Sequence, residues 1–423
     1  MVDGCRSEFR GGATPINNRQ EGSLSRRLPS GRIEVATVTL FDAYIGTFTA
    51  EFKASDGQPM GAASRGIERF EFDDDSGVLR FVDETAGLLS PSYLALIPDQ
   101  SLIYAVERQL VASPSFRGNF RPKTWRFDPT TMHPGAITTF SISSDGSLSP
   151  ACRISSAGES PSHVSVHPSG RRVYVANYWS GQIASFRVDS AGRAHAPDVV
   201  VRDPAPSHSD HWRQAETHVH QVYPLAPGHG VLVTDLGLDR LAAYETQPDG
   251  RMAEHPASAV TLPLGTGPMH VVAHPSGRVV YVIGELDSRV HIVASENGFP
   301  TCHRASISTA PEGYAGTNMP SEVLISQDSR HLYVINRGSN SVAGFLLDSA
   351  GGIVRALGHW PTHGQTPRAA TWSPSGRHLL VANQTPGSLV VFARSEDGAL
   401  HLVGDPVEAH TPSCILIRDR PSR

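Results

Sequence analysis

The chain has 423 residues, with 36 Lys or Arg against 41 Asp or Glu, a net charge of −5, and 39% hydrophobic and 18% charged residues. That balance excludes both a disordered polymer and a surface built throughout for polyanions, and no apolar run reaches the 18 or so residues of a membrane-spanning helix. Glycine (39) and proline (32) are frequent without reaching low complexity, the composition of many short strands joined by tight turns.

Residues 1–33 are rich in Gly, Ser, Arg and Asn and lack a continuous apolar segment, so they read as a disordered extension ahead of a folded domain at 34–423. The four cysteines, Cys5, Cys152, Cys302 and Cys414, lie far apart with no Cys-x-x-Cys. This predicts no zinc centre or other metal, and suits a reducing compartment, the cytoplasm. From there one unit recurs: a Pro, a short apolar strand, a Pro-Ser-Gly-type turn, a second strand, a polar turn, a third strand, then Asp-x-x-Gly. It is plainest from Pro161, Pro268 and Pro367, with looser copies from Pro91, from Thr217 (where Thr stands for the Pro) and from Pro320. Starts lie 45 to 70 residues apart, the length of a propeller blade.

The ends of the chain explain each other. Ala43-Tyr-Ile-Gly-Thr-Phe-Thr and the strand from Gly66 lack a Pro-headed first strand, and the chain closes on Thr411-Pro-Ser-Cys-Ile-Leu-Ile, which is that strand and nothing more. Joined, they make a seventh blade, so the expected fold is an all-β, seven-bladed β-propeller closed by its C-terminal strand. An eight-stranded sandwich would not need the orphan strand. Closure leaves no sheet edge to pair, which predicts a monomer.

Within each blade the start of the first strand lies beside the end of the second, at one mouth of the ring. The residue after the Pro is then Ser92, Ser162, His218, Met269, Ser321, Arg368 or Ser413, with His220 on the same face as His218. Second strands end on Glu107-Arg108, Asn177-Tyr178, Asp235-Leu236, Gly284-Glu285, Asn336-Arg337 and Asn383-Gln384. Asp235, Asn177, Asn336 and Asn383 precede tight turns, where Asx side chains brace local backbone amides, and His163, His167 and His274 read as packing or turn residues. His218, His220, Glu285, Arg337 and Arg368 are candidates for chemistry, because a charge at a narrow channel must be paired or liganded. A structural Glu–Arg pair satisfies the same requirement.

Taken together, Tyr44-Ile-Gly-Thr, Arg213-Gln214, Thr217-His-Val-His-Gln-Val, Val233-Thr-Asp-Leu-Gly-Leu-Asp-Arg, Gly265-Thr-Gly-Pro-Met-His, Gly284-Glu-Leu, Asn318, Val334-Ile-Asn-Arg-Gly and Thr366-Pro-Arg resemble the seven-bladed 6-phosphogluconolactonase family, which includes the muconate cyclases. The resemblance spans residues 43–420 and implies a small anionic lactone as substrate, with no metal or organic cofactor. Carried over, it points to His218, His220, Glu285 and Arg337 as catalytic, and to Arg213, His270, Asp235, Asn318 and Arg368 as substrate-binding. One position departs: Met269 stands where the family usually has arginine. Arg368, Arg108, or Arg117, Arg121 and Arg126 of the 109–134 insertion could substitute. That insertion, with Phe116, Phe120, Trp125 and Phe127 among cationic residues, reads either as a lid or as a surface loop with its own apolar cluster.

Lactone hydrolysis needs an activated water and a cation or donor at the carbonyl oxygen, and an anionic tail calls for arginine. Glu285 or a histidine is the candidate base. No Gly-x-Ser-x-Gly elbow occurs, which favours direct attack by water. A lactone-forming or lactone-opening isomerase and a non-catalytic binding propeller are the competing readings; scattered basic residues disfavour nucleic acid.

Overall fold

A computed structural model describes residues 39–49, 66–108, 135–202 and 211–420, and the backbone of 52–53 and 59–60. The extension 1–33 and the insertion 109–134, with its Arg117, Arg121 and Arg126, lie outside the described residues. The described chain forms seven four-stranded antiparallel sheets, and a single 3-10 turn, Trp212–Gln214, is the helical element among these residues.

Blade 1 is composite. Its inner strand is Pro412–Asp419, followed outward by Leu40–Thr47, Gly66–Asp73 and Val78–Ala86. The other six blades follow in chain order, with inner strands Pro91–Leu96, Pro161–Val166, Val219–Leu225, Pro268–Ala273, Met319–Ile325 and Gln365–Trp372 for blades 2 to 7. Each is succeeded by its own second, third and fourth strands. The ring closes as the sequence predicts, and among the described residues no helix is long and apolar enough to cross a membrane.

The hydrophobic core is a ring rather than a ball. Seven apolar clusters occupy the seven seams between neighbouring blades; Phe41, Ala43, Phe70, Leu380 and Leu389, for instance, bridge blades 1 and 7. Second strands such as Arg172–Asn177 are buried on both faces, which is why they read as continuous Val, Ala and Tyr rather than as alternation. The tyrosine in these strands and the Asp-x-x-Gly turn are two halves of one device. Tyr104 of blade 2 donates its hydroxyl to Gly192 O of blade 3 at 2.8 Å, Tyr333 of blade 6 to Gly398 O of blade 7 at 2.8 Å, and Tyr44 of blade 1 to Gly146 O of blade 2 at 2.6 Å. Tyr174 and Tyr281 do the same with Gly250 and Gly351. Gly192 has φ of 75° and a Cβ there would lie 1.7 Å from Leu102, so the turn that meets the tyrosine requires glycine.

Candidate active site at one mouth of the ring

Every inner strand slips register just after its Pro, or in blade 4 after Val219. Pro161 pairs with Asn177, but His163, not Ser162, pairs with Ala176. The same slip follows Pro91, Val219, Pro268, Pro320, Pro367 and Pro412. The mouth is therefore rimmed by seven bulges, which turn a side chain out of the ladder. In four blades the bulge residue is serine, which staples its blade to the next. Ser92 donates to Pro161 O at 2.6 Å, and Ser162 to His220 O, Ser321 to Pro367 O and Ser413 to Pro91 O each at 2.7 Å. The other three bulges carry His220, Met269 and Arg368.

This register corrects the reading of blade 4. Val219, not Thr217, occupies the Pro position, because it is Val219 that pairs with Asp235 as each Pro pairs with its strand end. His220 thus holds the bulge, and His218 lies one residue before the strand, where its backbone carbonyl receives Leu236 N. His218 is stacked 4.8 Å from the Tyr178 ring, with Nδ1 3.0 Å from Tyr178 O and Trp179 edge-on. Its ring packs against Tyr178, whose hydroxyl in turn meets Arg213.

A second tier sits at the ends of the second strands: Phe48, Arg108, Tyr178, Leu236, Glu285, Arg337 and Gln384. The Arg108, Tyr178, Leu236 and Glu285 amides make equivalent bonds back to the preceding loop. Glu285 is the hub. Arg213 grips it bidentately, Nη1 to Oε1 at 2.9 Å and Nη2 to Oε2 at 2.7 Å, and Arg337 Nη2 donates to Oε1 at 2.7 Å. Arg213 also reaches the Tyr178 hydroxyl at 3.2 Å. It is delivered by the 3-10 turn, which Gln214 anchors to Leu236 O at 2.9 Å and Asp239 Oδ1 at 2.7 Å. Arg337 lies against Met269 Sδ at 3.6 Å, so an arginine from blade 6 covers the position where the family's usual arginine is missing.

Burial alone would raise the Glu285 carboxyl, but the guanidinium of Arg213, and then that of Arg337, holds it well below the ordinary value. Both oxygens are committed, so it is an anionic clamp and a poor base. Arg368 and Arg108 differ: both are half-buried, and neither guanidinium makes a hydrogen bond or ion pair among the described residues. Arg368 Cζ rests 5.9 Å from the centre of the Phe48 ring. Desolvation, with repulsion from Arg337 and Arg108, pushes Arg368 down to about 9, and desolvation pushes Arg108 down to about 10. A guanidinium scarcely gives up its proton, so both stay charged at neutral pH. Burial, with lesser contributions from His270 and the arginines, holds His220 well below its ordinary 6.5. It is neutral at pH 7, and its Nδ1 has no hydrogen-bond partner among the described residues.

One residue deeper comes a belt of Tyr93, His163, Gln221, His270 and Glu322. The His270 ring is 5.3 Å from His220, and its Nδ1 is 2.8 Å from Glu322 Oε1. The structure therefore brings together His220, Glu285, Arg337, Arg213 and Arg368, with His270 beneath. It does not bring Asp235 or Asn318 among them. Asp235 Oδ1 accepts from the amides of His218, Gly237 and Leu238, while Oδ2 takes the Thr217 hydroxyl. Asn318 ties Ser288 at 2.6 Å and Asn336 at 3.0 Å. Asp235 braces its turn, as the local Asx reading expects, and Asn318 is held by neighbouring polar side chains. Sequence reasoning did not single out Tyr178, Gln384 or Glu322; the only signal for the first two was their place at a second-strand end. Among the described residues, no group of three or more His, Cys, Asp or Glu is arranged to hold a metal ion.

Comparison with known proteins agrees with this architecture. The family model described as "Lactonase, 7-bladed beta-propeller" matches residues 42–417. The 6-phosphogluconolactonase of Bacillus subtilis is 28% identical over 385 residues, covering 89% of this chain and 98% of the relative. That of Formosa agariphila is 29% identical over 367 residues, covering 84% and 94%. The solved structure of the Pseudomonas aeruginosa periplasmic gluconolactonase is 27% identical with a TM-score of 0.75, covering 90% of this chain and all of that one. Blade count, closure and the match along nearly the whole propeller concur: the chain belongs to the seven-bladed β-propeller lactonase family.

Proposed function

We propose that the mouth rimmed by His220, Glu285 and the four arginines hydrolyses a small anionic sugar lactone, with 6-phosphogluconolactone as first candidate. The observation that carries this is the charge count among the described residues: Arg108, Arg213, Arg337 and Arg368 face one carboxylate, Glu285, and the two on blades 2 and 7 have no hydrogen-bond or ion-pair partner there. Such a site is incomplete until an anion enters. The relatives named 6-phosphogluconolactonase and gluconolactonase support a lactone.

In this reading Arg108 and Arg368, flanking Phe48, hold the anionic tail, and the lactone carbonyl lies across the ring toward Arg337. Neutral His220 takes a proton from water as its oxygen attacks the carbonyl carbon. Arg337, aligned by Glu285, stabilises the oxyanion. When the ring C–O bond breaks, protonated His220 returns the proton to the departing alkoxide, leaving the open hydroxy acid. The chain works in this scheme as a cytoplasmic monomer, without metal or organic cofactor. The test is hydrolysis of 6-phosphogluconolactone above its spontaneous rate. Acceleration that disappears in His220→Gln supports the reading. Acceleration that survives in that variant refutes the base. No acceleration of this lactone, with turnover of a muconolactone or of none, moves the function to the isomerase or binding class.

A further inference from the structure

The channel does not end at the belt. Beyond it lies a cavity of about 590 Å³ on the propeller axis, walled by all seven inner strands and reaching the turn residues Pro275, Gln327 and Ser329 at the opposite mouth. Its walls are aliphatic, with Val164, Val271, Val323, Ile325, Ala370 and Ile415, and its floor is polar, with Tyr93, His163, Gln221 and Glu322. The volume is that of a small-molecule site, and an apolar funnel with a few convergent polar groups is the usual composition of one.

The floor has unspent hydrogen-bonding capacity. Gln221 Oε1 accepts Val271 N at 2.7 Å, so its amide nitrogen is the group 3.4 Å from His163 Nε2 and donates to it. The His163 proton is then on Nδ1, which has no partner although the residue is 4% exposed. Glu322, 7% exposed, takes His270 and Val323 N on Oε1, while its Oε2 accepts no hydrogen bond among the described residues. No Lys or Arg lines the cavity. Burial and then the charge of Glu322 raise the Tyr93 hydroxyl, and none of the four arginines of the other mouth contributes there. The two halves of one channel therefore differ in charge, with arginines at one mouth and a carboxylate at the floor of the other half.

We propose that this far half is a second ligand site, taking a small, largely apolar amine whose ammonium group meets Glu322 Oε2 at the floor. It is a separate site from the lactone mouth, although Glu322 holds His270 beneath His220. The probe is hexylamine, with hexanoate and hexanol as matched controls, titrated calorimetrically against the full chain with and without saturating 6-phosphogluconate. Hexylamine should bind at least tenfold more tightly than either control, regardless of 6-phosphogluconate. Glu322→Gln should remove that preference, and Ile325→Trp, filling the funnel from a half-buried wall position, should abolish binding. Equal binding of hexanoate, displacement by 6-phosphogluconate, retention of the preference in Glu322→Gln, or no heat of binding would each overturn the assignment. Should a variant fail to fold, the ranking of the three probes on the unmodified chain decides the matter.

Discussion

Glu285 receives three hydrogen bonds from two guanidinia, at 2.9, 2.7 and 2.7 Å, and is 2% exposed. In Glu285→Gln the shape survives and the charge does not, so Arg213 and Arg337 lose the carboxylate that pairs them. Breaking a buried pair by neutralising one partner costs about 3–5 kcal/mol. The glutamine oxygen still accepts one bond, so the low end, about 3 kcal/mol, is expected, roughly 150-fold in the folding equilibrium. The same change takes from Arg213 and Arg337 the carboxylate they share, a role that an external anion can fill. Phosphate at a hundred times its dissociation constant returns about 2.7 kcal/mol, nearly the whole loss. Urea unfolding in chloride and in phosphate at matched ionic strength should therefore show a large phosphate gain for the variant and a smaller one for the parent. The pH dependence has a definite sign. Because Glu285 is held below its ordinary 4.5, its contribution is complete above that value and is lost as pH falls through the lower folded one. The stability gap between parent and variant must narrow toward acid. A variant as stable as the parent, or an identical phosphate response in both, would refute the account of Glu285 as an anionic clamp.

Four further outcomes follow from the same geometry. Removing either free cation, by Arg108→Met or Arg368→Met, should raise KM for a phosphorylated lactone by roughly 10- to 150-fold, the worth of a hydrogen bond to a charged group. The corresponding unphosphorylated lactone should be nearly unaffected in steady-state assays. His220→Gln should lower kcat by about 10² to 10⁴ without loss of fold. Since His220 titrates well below 6.5, the parent's rate on a carboxylate-bearing lactone should stay flat from about pH 8 to 6.5, and an acid limb centred at 6.5 would contradict the assignment. Ser162→Ala leaves the buried His220 carbonyl without its 2.7 Å donor and should cost about 1 kcal/mol in chemical denaturation. It should also disturb turnover, because that carbonyl belongs to the bulge carrying the imidazole.

Much of this was legible before any coordinates. Apolar strands, Pro-Ser-Gly turns and an orphan last strand are local features, and they suffice for seven blades and for closure. The tyrosines and the Asp-x-x-Gly turns were visible separately; that they bond each other across a seam was not, since Tyr104 and Gly192 are 88 residues apart. The error in blade 4 has a simple origin. A strand repeats every two residues, so moving its start from Val219 to Thr217 keeps every side chain on its proper face, and only the pairing of Val219 with Asp235 exposes the slip. The bulges are equally silent in an alternation pattern, although the run of Ser92, Ser162, Ser321 and Ser413 already marked Met269 and Arg368 as exceptions, with His218 standing in that series where the structure puts His220. What the sequence could not disclose was which charges are spent. Arg213 and Glu285 meet across 72 residues, and only that meeting turns Glu285 from a candidate base into a clamp.

The composite blade also imposes a timetable. His220, Glu285, Arg337 and Arg213 come from consecutive blades 4 to 6 and the link just before them, so they emerge from the ribosome as neighbours. Arg368, Phe48 and Arg108 belong to blades 7, 1 and 2, which become adjacent only when Pro412–Asp419 takes its place beside Leu40–Thr47. The half of the mouth that would do chemistry is thus contiguous in synthesis, and the half that would capture an anion waits for the last strand. Until that strand is in place, the imidazole that would take a proton from water stands without the Arg108–Arg368 pair that would hold a substrate's anion.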